Sequence, residues 1–521
     1  MLRQHSSRWI VLFLTTLIGS TLLQAPPALG TAQTHPSTTG MPPGIDVAIE
    51  RSAAASSETT DQPASNAVDG DATTHWCPGA GTDEAQLTVD LDRLQQLNGT
   101  GVTWVGHAPE RYEVQISVDG QHWYVFPGTR SSANALTTVD LVAGRAAPAR
   151  FVRLSFSDSA ELPCVAEFRA FASPPSAAGL IRGADISTLR ALEAAGKSFS
   201  DAAGTRPAEQ ILADHGLNLV RLRLWVQPPN EFNGLADVAA MARRIKQAHM
   251  QFLLDLHYSD FWADPGHQDT PAAWQGQDLA TLAHTVYNYT RSVVSTLTQQ
   301  GTPPDIVQIG NEVTAGMLWP VGQLYPAVGP QRWVEFTTLL KAGIAGARDG
   351  APPGRAPQIM LHIDRGGDQG GTQWFYDHMR DYGVDYDLIG LSYYPYWHGS
   401  LSDVRHNFDN TAARYGKPIV LVETAYAWTF DDQDGYPNIV GPWYSPPPEY
   451  PITPVGQALF IRDLLSVVAR TPDHLGLGVV YWEPAWIPGV GWKPGEGNAW
   501  DNQTVFDAQG RALVSVDAMQ P

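Results

Sequence analysis

The chain has 521 residues, 43% of them hydrophobic and only 17% charged, with 17 tryptophans. That is enough material for two to four domains around a large core, and it excludes an intrinsically disordered chain. Acidic residues outnumber basic ones by 53 to 33, a formal net charge of −20, which excludes nucleic acid or an anionic membrane as partners held by bulk charge and suits a neutral substrate.

In chain order, Arg3 and Arg8 precede an apolar run from Trp9 to Leu23 that is too short and too early for a membrane span. Residues 1–30 read as a secretory signal ending in small residues around Ala28-Leu29-Gly30, so the protein is expected to be secreted, either released or held at the cell surface. Residues 31–44, rich in Thr, Pro and Gly, read as a disordered leader. Export permits a disulfide, and the only two cysteines, Cys77 and Cys164, offer one pairing.

Between residues 45 and 172 short alternating runs are separated by turns, as in Gln86 to Leu91, Tyr112 to Ser117 and Phe151 to Phe156. Alternation marks half-buried strands, and many at close spacing predict a β-sandwich. The wording Ala67-Val68-Asp69-Gly70-Asp71, Thr74-His75-Trp76, Val89-Asp90-Leu91 and Ser117-Val118-Asp119-Gly120 resembles the discoidin or coagulation-factor type C module, a jelly-roll sandwich. That resemblance implies a carbohydrate-binding module, since members of the family commonly bind sugars from loops at one end. A Cys77–Cys164 bridge would close a loop of nearly ninety residues and contribute about 4 kcal/mol on the chain-entropy account. The Pro-rich break at 173–178 is the expected linker.

From residue 179 to the end, strand and helix patterns alternate. Candidate strands are Ile181 to Ile186, Leu219 to Leu224, Phe252 to Leu256, Ile306 to Ile309, Ile359 to His362, Leu388 to Leu391, Ile419 to Val422 and Gly478 to Tyr481. Eight such units predict a (β/α)8 TIM barrel, whose chemistry sits at the C-terminal ends of the strands. Those ends carry polar and aromatic clusters: Arg221 and Arg223; Asp255, His257, Tyr258, Asp260 and Trp262; Asn311 and Glu312; His362 and Asp364; Tyr393, Tyr394 and Trp397; Glu423; Trp482 and Trp486. Aromatic faces stack on pyranose rings and carboxyls, amides and imidazoles bind hydroxyls, so this is the lining expected of a polysaccharide groove. Trp397 and Trp486 are expected to face that groove. Two carboxyls, Glu312 after the fourth strand and Glu423 after the seventh, are what glycoside hydrolysis requires.

Gly183-Ala184-Asp185-Ile186-Ser187, Val220-Arg221-Leu222-Arg223, the nine residues from His257 to Pro265, Gly310-Asn311-Glu312, Ser392-Tyr393-Tyr394-Pro395 and Trp482-Glu483-Pro484 together resemble the endo-β-1,4-galactanases of glycoside hydrolase family 53. The resemblance implies a retaining hydrolase of galactan or arabinogalactan, with Glu312 as acid/base and Glu423 as nucleophile, their carboxyl groups about 5–5.5 Å apart. Arg221 or Arg223 would keep the nucleophile ionised, and strand alternation is expected to turn only one of the two inward. Asn311 is expected to bind the sugar 2-hydroxyl and Tyr393 to hydrogen-bond Glu423. Family members from bacteria carry Ca²⁺ in the loop after strand seven, which here would be held by Asp432, Asp434, the Tyr436 carbonyl and Asn438. The chain is expected to act as a monomer. The rival readings are a β-glycanase of the same clan acting on mannan or glucan, and a non-catalytic galactan-binding protein.

Overall fold

A computed structural model describes residues 41–521, apart from 107, 110, 127–138, 158–161, 175–176, 326–328, 448 and 493–495. The expected signal and most of the expected leader lie outside the described residues. Met41 is buried, and the Asn98 side-chain amide donates to the Pro43 carbonyl at 3.2 Å, so Met41 to Gly44 already belong to the sandwich. Among the described residues no helix is long and apolar enough to cross a membrane.

Among the described residues, the N-terminal part forms a seven-stranded antiparallel sheet. Its frame is two long strands, Glu84–Val105 and Val139–Ser157, with Arg111–Ser117 and Cys164–Ala172 alongside. Register shifts between Asp90 and Gln95 and between Leu97 and Gly99 break the pairing of the long strands, and such bulges let a strand bend. Both halves of the sheet thereby close on one core, in which Trp104 meets Phe156 edge-on at 5.2 Å and Trp76 meets it at 5.8 Å. Cys77 and Cys164 are bonded, closing one end of the sheet.

The rest of the chain builds a closed barrel of eight parallel strands: Ile181–Asp185, Leu219–Leu224, Gln251–Leu256, Ile306–Ile309, Gln358–Ile363, Leu388–Ser392, Ile419–Thr424 and Gly476–Trp482. These fall where the apolar runs placed them, within two residues at each end. A layer inside the cylinder takes Ile181, Leu219, Leu253, Ile306, Met360, Leu388, Val420 and Val480 from the eight strands in turn. Side chains two residues further along a strand share the same face. Above the apolar layer therefore comes a polar one: Arg221 and then Arg223, Asp255, Gln308, His362 and, by way of Gly390, Ser392. This corrects the expectation that only one arginine turns inward. Residues two apart lie on one face, and both guanidinium groups are only 1% exposed.

Candidate active site

At the mouth, the fourth strand ends at Ile309 and the chain reverses through Gly310, at φ +77°, into Asn311 and Glu312. A side chain on Gly310 would meet Val313 at 2.5 Å. Glu312 itself holds a left-handed conformation, φ 46°, a strained backbone of the kind that gathers at functional sites. On the seventh strand the ladder shifts between Leu421 and Thr424. Val422 belongs to the interior layer, so strict alternation would turn Glu423 towards the helices. The shift re-aims it into the mouth, in register with Ser392 of strand six. The Ser392 hydroxyl donates to Glu312 at 2.6 Å, so one residue is paired with one glutamate and bonded to the other.

The two carboxyl groups have unequal surroundings. Glu423 is 2.8 Å from the Arg221 guanidinium and accepts a hydrogen bond from the Tyr394 hydroxyl at 3.2 Å. Glu312 has Ser392, and no cation within ion-pairing distance among the described residues. Burial pushes both carboxyls up; Arg221 opposes this at Glu423, whereas the charge of Glu423 drives Glu312 further up. The first proton taken up by the pair therefore belongs on Glu312.

Arg221 is the hub of the polar layer. It reaches Asp185 at 2.9 Å, Asp255 at 2.8 Å and the Asn311 side-chain oxygen at 2.7 Å, besides Glu423. Burial weighs against its charge, but Asp255, Glu423 and Asp185 more than offset this. Asn311 also donates to the Ala263 carbonyl at 2.8 Å, which leaves one of its two amide hydrogens for a ligand. His362 lies 2.9 Å from the Asn311 side-chain oxygen and 2.7 Å from Ser392, and burial together with Arg221 keeps it uncharged. Asp364 accepts from the Thr314 hydroxyl at the edge of the mouth.

Arg223 serves a different purpose. It pairs with Glu483 at 2.6 Å and lies over the rings of Trp262, Trp492 and Trp225 at 4.5, 5.1 and 5.6 Å. Burial pushes Glu483 up to about 7 against this pairing. Trp262, Trp482, Trp492 and Trp500 continue the aromatic wall, with Trp482 and Trp500 4.6 Å apart and Trp262 and Trp482 5.9 Å apart.

Several expected ligands have structural duties instead. Tyr394, not Tyr393, brings its hydroxyl to the Glu423 carboxylate. Tyr393 reaches Glu423 only through its backbone amide, which donates to the Glu423 carbonyl at 2.9 Å, while its hydroxyl donates to the Gly399 carbonyl at 2.9 Å, because neighbours on an extended chain point opposite ways. His257 is locked inside the wall. One ring nitrogen accepts from the Trp225 indole and the Ala263 amide, which puts the proton on the other, 3.0 Å from Asp255. Tyr258 points outward, with its hydroxyl 2.7 Å from Thr290 on the helix Leu279–Gln299. Asp260 ties loops together by accepting from the Gln227 and Ala272 amides. Trp486 is 2% exposed and donates to the Val490 carbonyl, so it props the wall from behind. Trp397 is 37% exposed beside Tyr394, 5.4 Å from it.

In the loop after strand seven, carboxylate oxygens of Asp432, Asp434 and Asp501 lie within 4.8 Å of one another. Asp501 is buried, yet neither carboxylate oxygen has a well-formed hydrogen bond, and the side-chain oxygen of Asn438 likewise lacks a donor. The Asn438 side chain and the Gln433 backbone amide are the nearest donors to Asp501, and three converging carboxylates with an undonated amide oxygen fit a hard cation. Asp501 was not anticipated, because it lies far along the chain from the Asp432–Asn438 turn. Gln308 was also missed, although a glutamine inside an apolar strand was a signal; its amide donates to Asp255 at 2.6 Å.

Residues 181–519 match glycosyl hydrolase family 53. The chain belongs to that family. Residues 52–168 match the F5/8 type C domain. A relative from Niallia circulans, described only as an uncharacterized protein, is 42% identical over 344 residues, covering 65% of this chain and 93% of the relative. The arabinogalactan endo-β-1,4-galactanase of Thermothelomyces thermophilus is 36% identical over 349 residues, covering 65% of this chain and 98% of that protein. Among solved structures, the family 53 catalytic domain of Ignisphaera aggregans superposes with a TM-score of 0.61 at 38% identity, covering 67% of this chain and 96% of that one. The protein is thus a glycoside hydrolase, and its barrel fold is that of its relatives.

Proposed function

We propose that the protein is a secreted endo-β-1,4-galactanase that cleaves galactan and type I arabinogalactan with retention of configuration. The observation that carries this reading is the unequal pair at the mouth, with Glu423 beside Arg221 and Glu312 lacking a cation. Glu423 attacks the anomeric carbon while Glu312 protonates the departing oxygen; Glu312 then deprotonates the water that releases the galactosyl-enzyme. Arg221 and the Tyr394 hydroxyl keep Glu423 ionised and aimed, and the remaining Asn311 amide hydrogen takes the 2-hydroxyl. The substrate class rests on the family and on relatives such as the Thermothelomyces thermophilus galactanase.

Secretion is supported by the apolar run behind Arg3 and Arg8 and by the Cys77–Cys164 bond. For the loop after strand seven we propose Ca²⁺ held by Asp432, Asp434, Asp501 and Asn438, a structural ion outside the chemistry. The Tyr436 carbonyl stays a candidate ligand on spacing alone. The sandwich is proposed to hold galactan close to the barrel.

The test is incubation with linear β-1,4-galactan, mannan and cellulose side by side, reading product size and anomeric form. Internal cleavage of galactan with β-products formed first is expected. Preferred cleavage of mannan or cellulose, inverted products, or binding without release would overturn the reading.

A further inference from the structure

Another fully buried arginine lies 294 residues from its carboxylate partner, at the joint between sandwich and barrel. Arg169, on the last sandwich strand, sits 2.8 Å from Asp463 on the barrel helix Pro454–Ala469. Its side chain is 1% exposed, and its remaining arm donates to Thr103 of the sandwich at 2.8 Å. Asp463 also accepts from the Tyr450 hydroxyl at 2.8 Å. Tyr450 closes the long loop that starts at Glu423, and its carbonyl accepts from the Tyr426 hydroxyl. Tyr426, three residues after Glu423, stacks on Phe460 of the same helix at 4.6 Å, and its backbone amide donates to Tyr481 on strand eight. The neighbouring Glu449 accepts from the Ala72 amide of the sandwich at 3.4 Å.

From these contacts we infer that Arg169 is a positioning residue for catalysis, supplied to the barrel by the sandwich. Through Asp463, Tyr450 and Tyr426 it fixes the loop that leaves the nucleophile strand. Three features of the joint set it apart from a simple tether. The contact is desolvated and forked, so it holds one geometry. It is one of several, since the Asp46 amide donates to Ser466 at 2.8 Å and Arg470 donates to the Ile49 carbonyl. It also lands on the only described loop that carries both the nucleophile at one end and a sandwich contact at the other. Family 53 relatives match the barrel alone, over about 65% of this chain, so this brace is a feature of the present architecture. The inference concerns how Glu423 is held, and it stands on the nucleophile assignment made above.

The experiment uses the full chain with Arg169→Met, Arg169→Lys and Tyr450→Phe, measuring kcat, KM and the pH profile on galactan below the melting temperature of each variant. Misplacing a reacting group by about 1 Å can cost about a hundredfold in rate, so a tenfold or larger fall in kcat is expected for Arg169→Met, with KM nearly unchanged. Partial rescue is expected in Arg169→Lys. Tyr450→Phe keeps the ring and removes only the bond to Asp463, and a fall of a few fold in kcat is expected without loss of fold. Should Arg169→Met not fold, Tyr450→Phe decides. Folded variants with unchanged kcat, KM and pH profile would overturn the inference and leave Arg169 a merely structural clamp. Loss of activity in Glu423→Ala but not in the Tyr450 variant would separate failure here from failure of the nucleophile assignment.

Discussion

Two regions of this protein bury an arginine among carboxylates, and they do different things with it. In the barrel, Arg221 faces Asp185, Asp255 and Glu423 at the C-terminal ends of the strands, where barrel enzymes carry their chemistry. In the joint, Arg169 faces Asp463 and Glu167, with Asp46 close by, and the Arg169 side chain is 1% exposed. Burial opposes both charges, and the neighbouring acids hold both in place. Position in the fold, not composition, separates a constellation at the strand ends from one that braces a loop. The same comparison explains the opposite fates of surplus acid. At the mouth, burial and the charge of Glu423 push the acid without a cation up, which suits the proton donor proposed above. In the joint, acids outnumber the single charge of Arg169, and burial pushes Asp46 and Glu449 up to about 7.

The comparison is sharpest where the effects are largest. Glu423→Ala should abolish galactan cleavage while leaving the melting temperature within a few degrees of the parent; an active, clean preparation would end the assignment. Glu312→Gln should lower kcat by about 10²–10⁴-fold, with much of the loss recovered on an aryl galactoside whose leaving group needs no proton. Arg221→Met should reduce activity severely and move the acid limb of the pH profile upward, because Glu423 loses the cation that opposes its burial. An unmoved acid limb would show that some other group sets it.

In the joint, stability should respond alongside the fall in kcat expected above. Removing one partner of a buried ion pair costs about 3–5 kcal/mol, so Arg169→Met should lower the unfolding free energy by that order, measured by denaturant titration. Its acids add a pH term. Asp46 is raised above its unfolded value, so its contribution is complete below about pH 4 and is lost as pH rises through about 7. Asp46 faces Asp463, Glu167, Arg169 and Arg470. The melting temperature should therefore fall between pH 5 and 8, and Asp46→Asn should flatten part of that slope; an identical slope in the variant would remove Asp46 from the account. The smallest expected effect is at the strand-seven loop. Chelation should lower the melting temperature by a few degrees, and Asp501→Asn should abolish the difference between chelated and Ca²⁺-loaded protein.

The eight strands and both glutamates were legible because each is a local pattern. An apolar run sets the strand, and the residues at its end fall at the mouth whatever the loops do. Ligand duties were less legible. Tyr393 and Tyr394 are adjacent, and only the direction of the chain after Ser392 decides which hydroxyl meets Glu423. His257, Tyr258 and Asp260 belong to the most specific motif in the chain, yet they hold the loop in shape. A motif records what a loop needs in order to fold as well as what a substrate needs in order to bind.

By itself the sequence determined the fold class of both halves, the order of the barrel strands and the two carboxyl groups, because strand period and strand-end chemistry are read along the chain. Only the tertiary structure decided that both inward arginines share a face with different partners, that Asp501 joins the acidic turn, and that Arg169 meets Asp463. Those contacts join residues tens to hundreds of positions apart. Their geometry follows from how a bulge aims one strand end and how one sheet seats on one helix, and no local pattern encodes either.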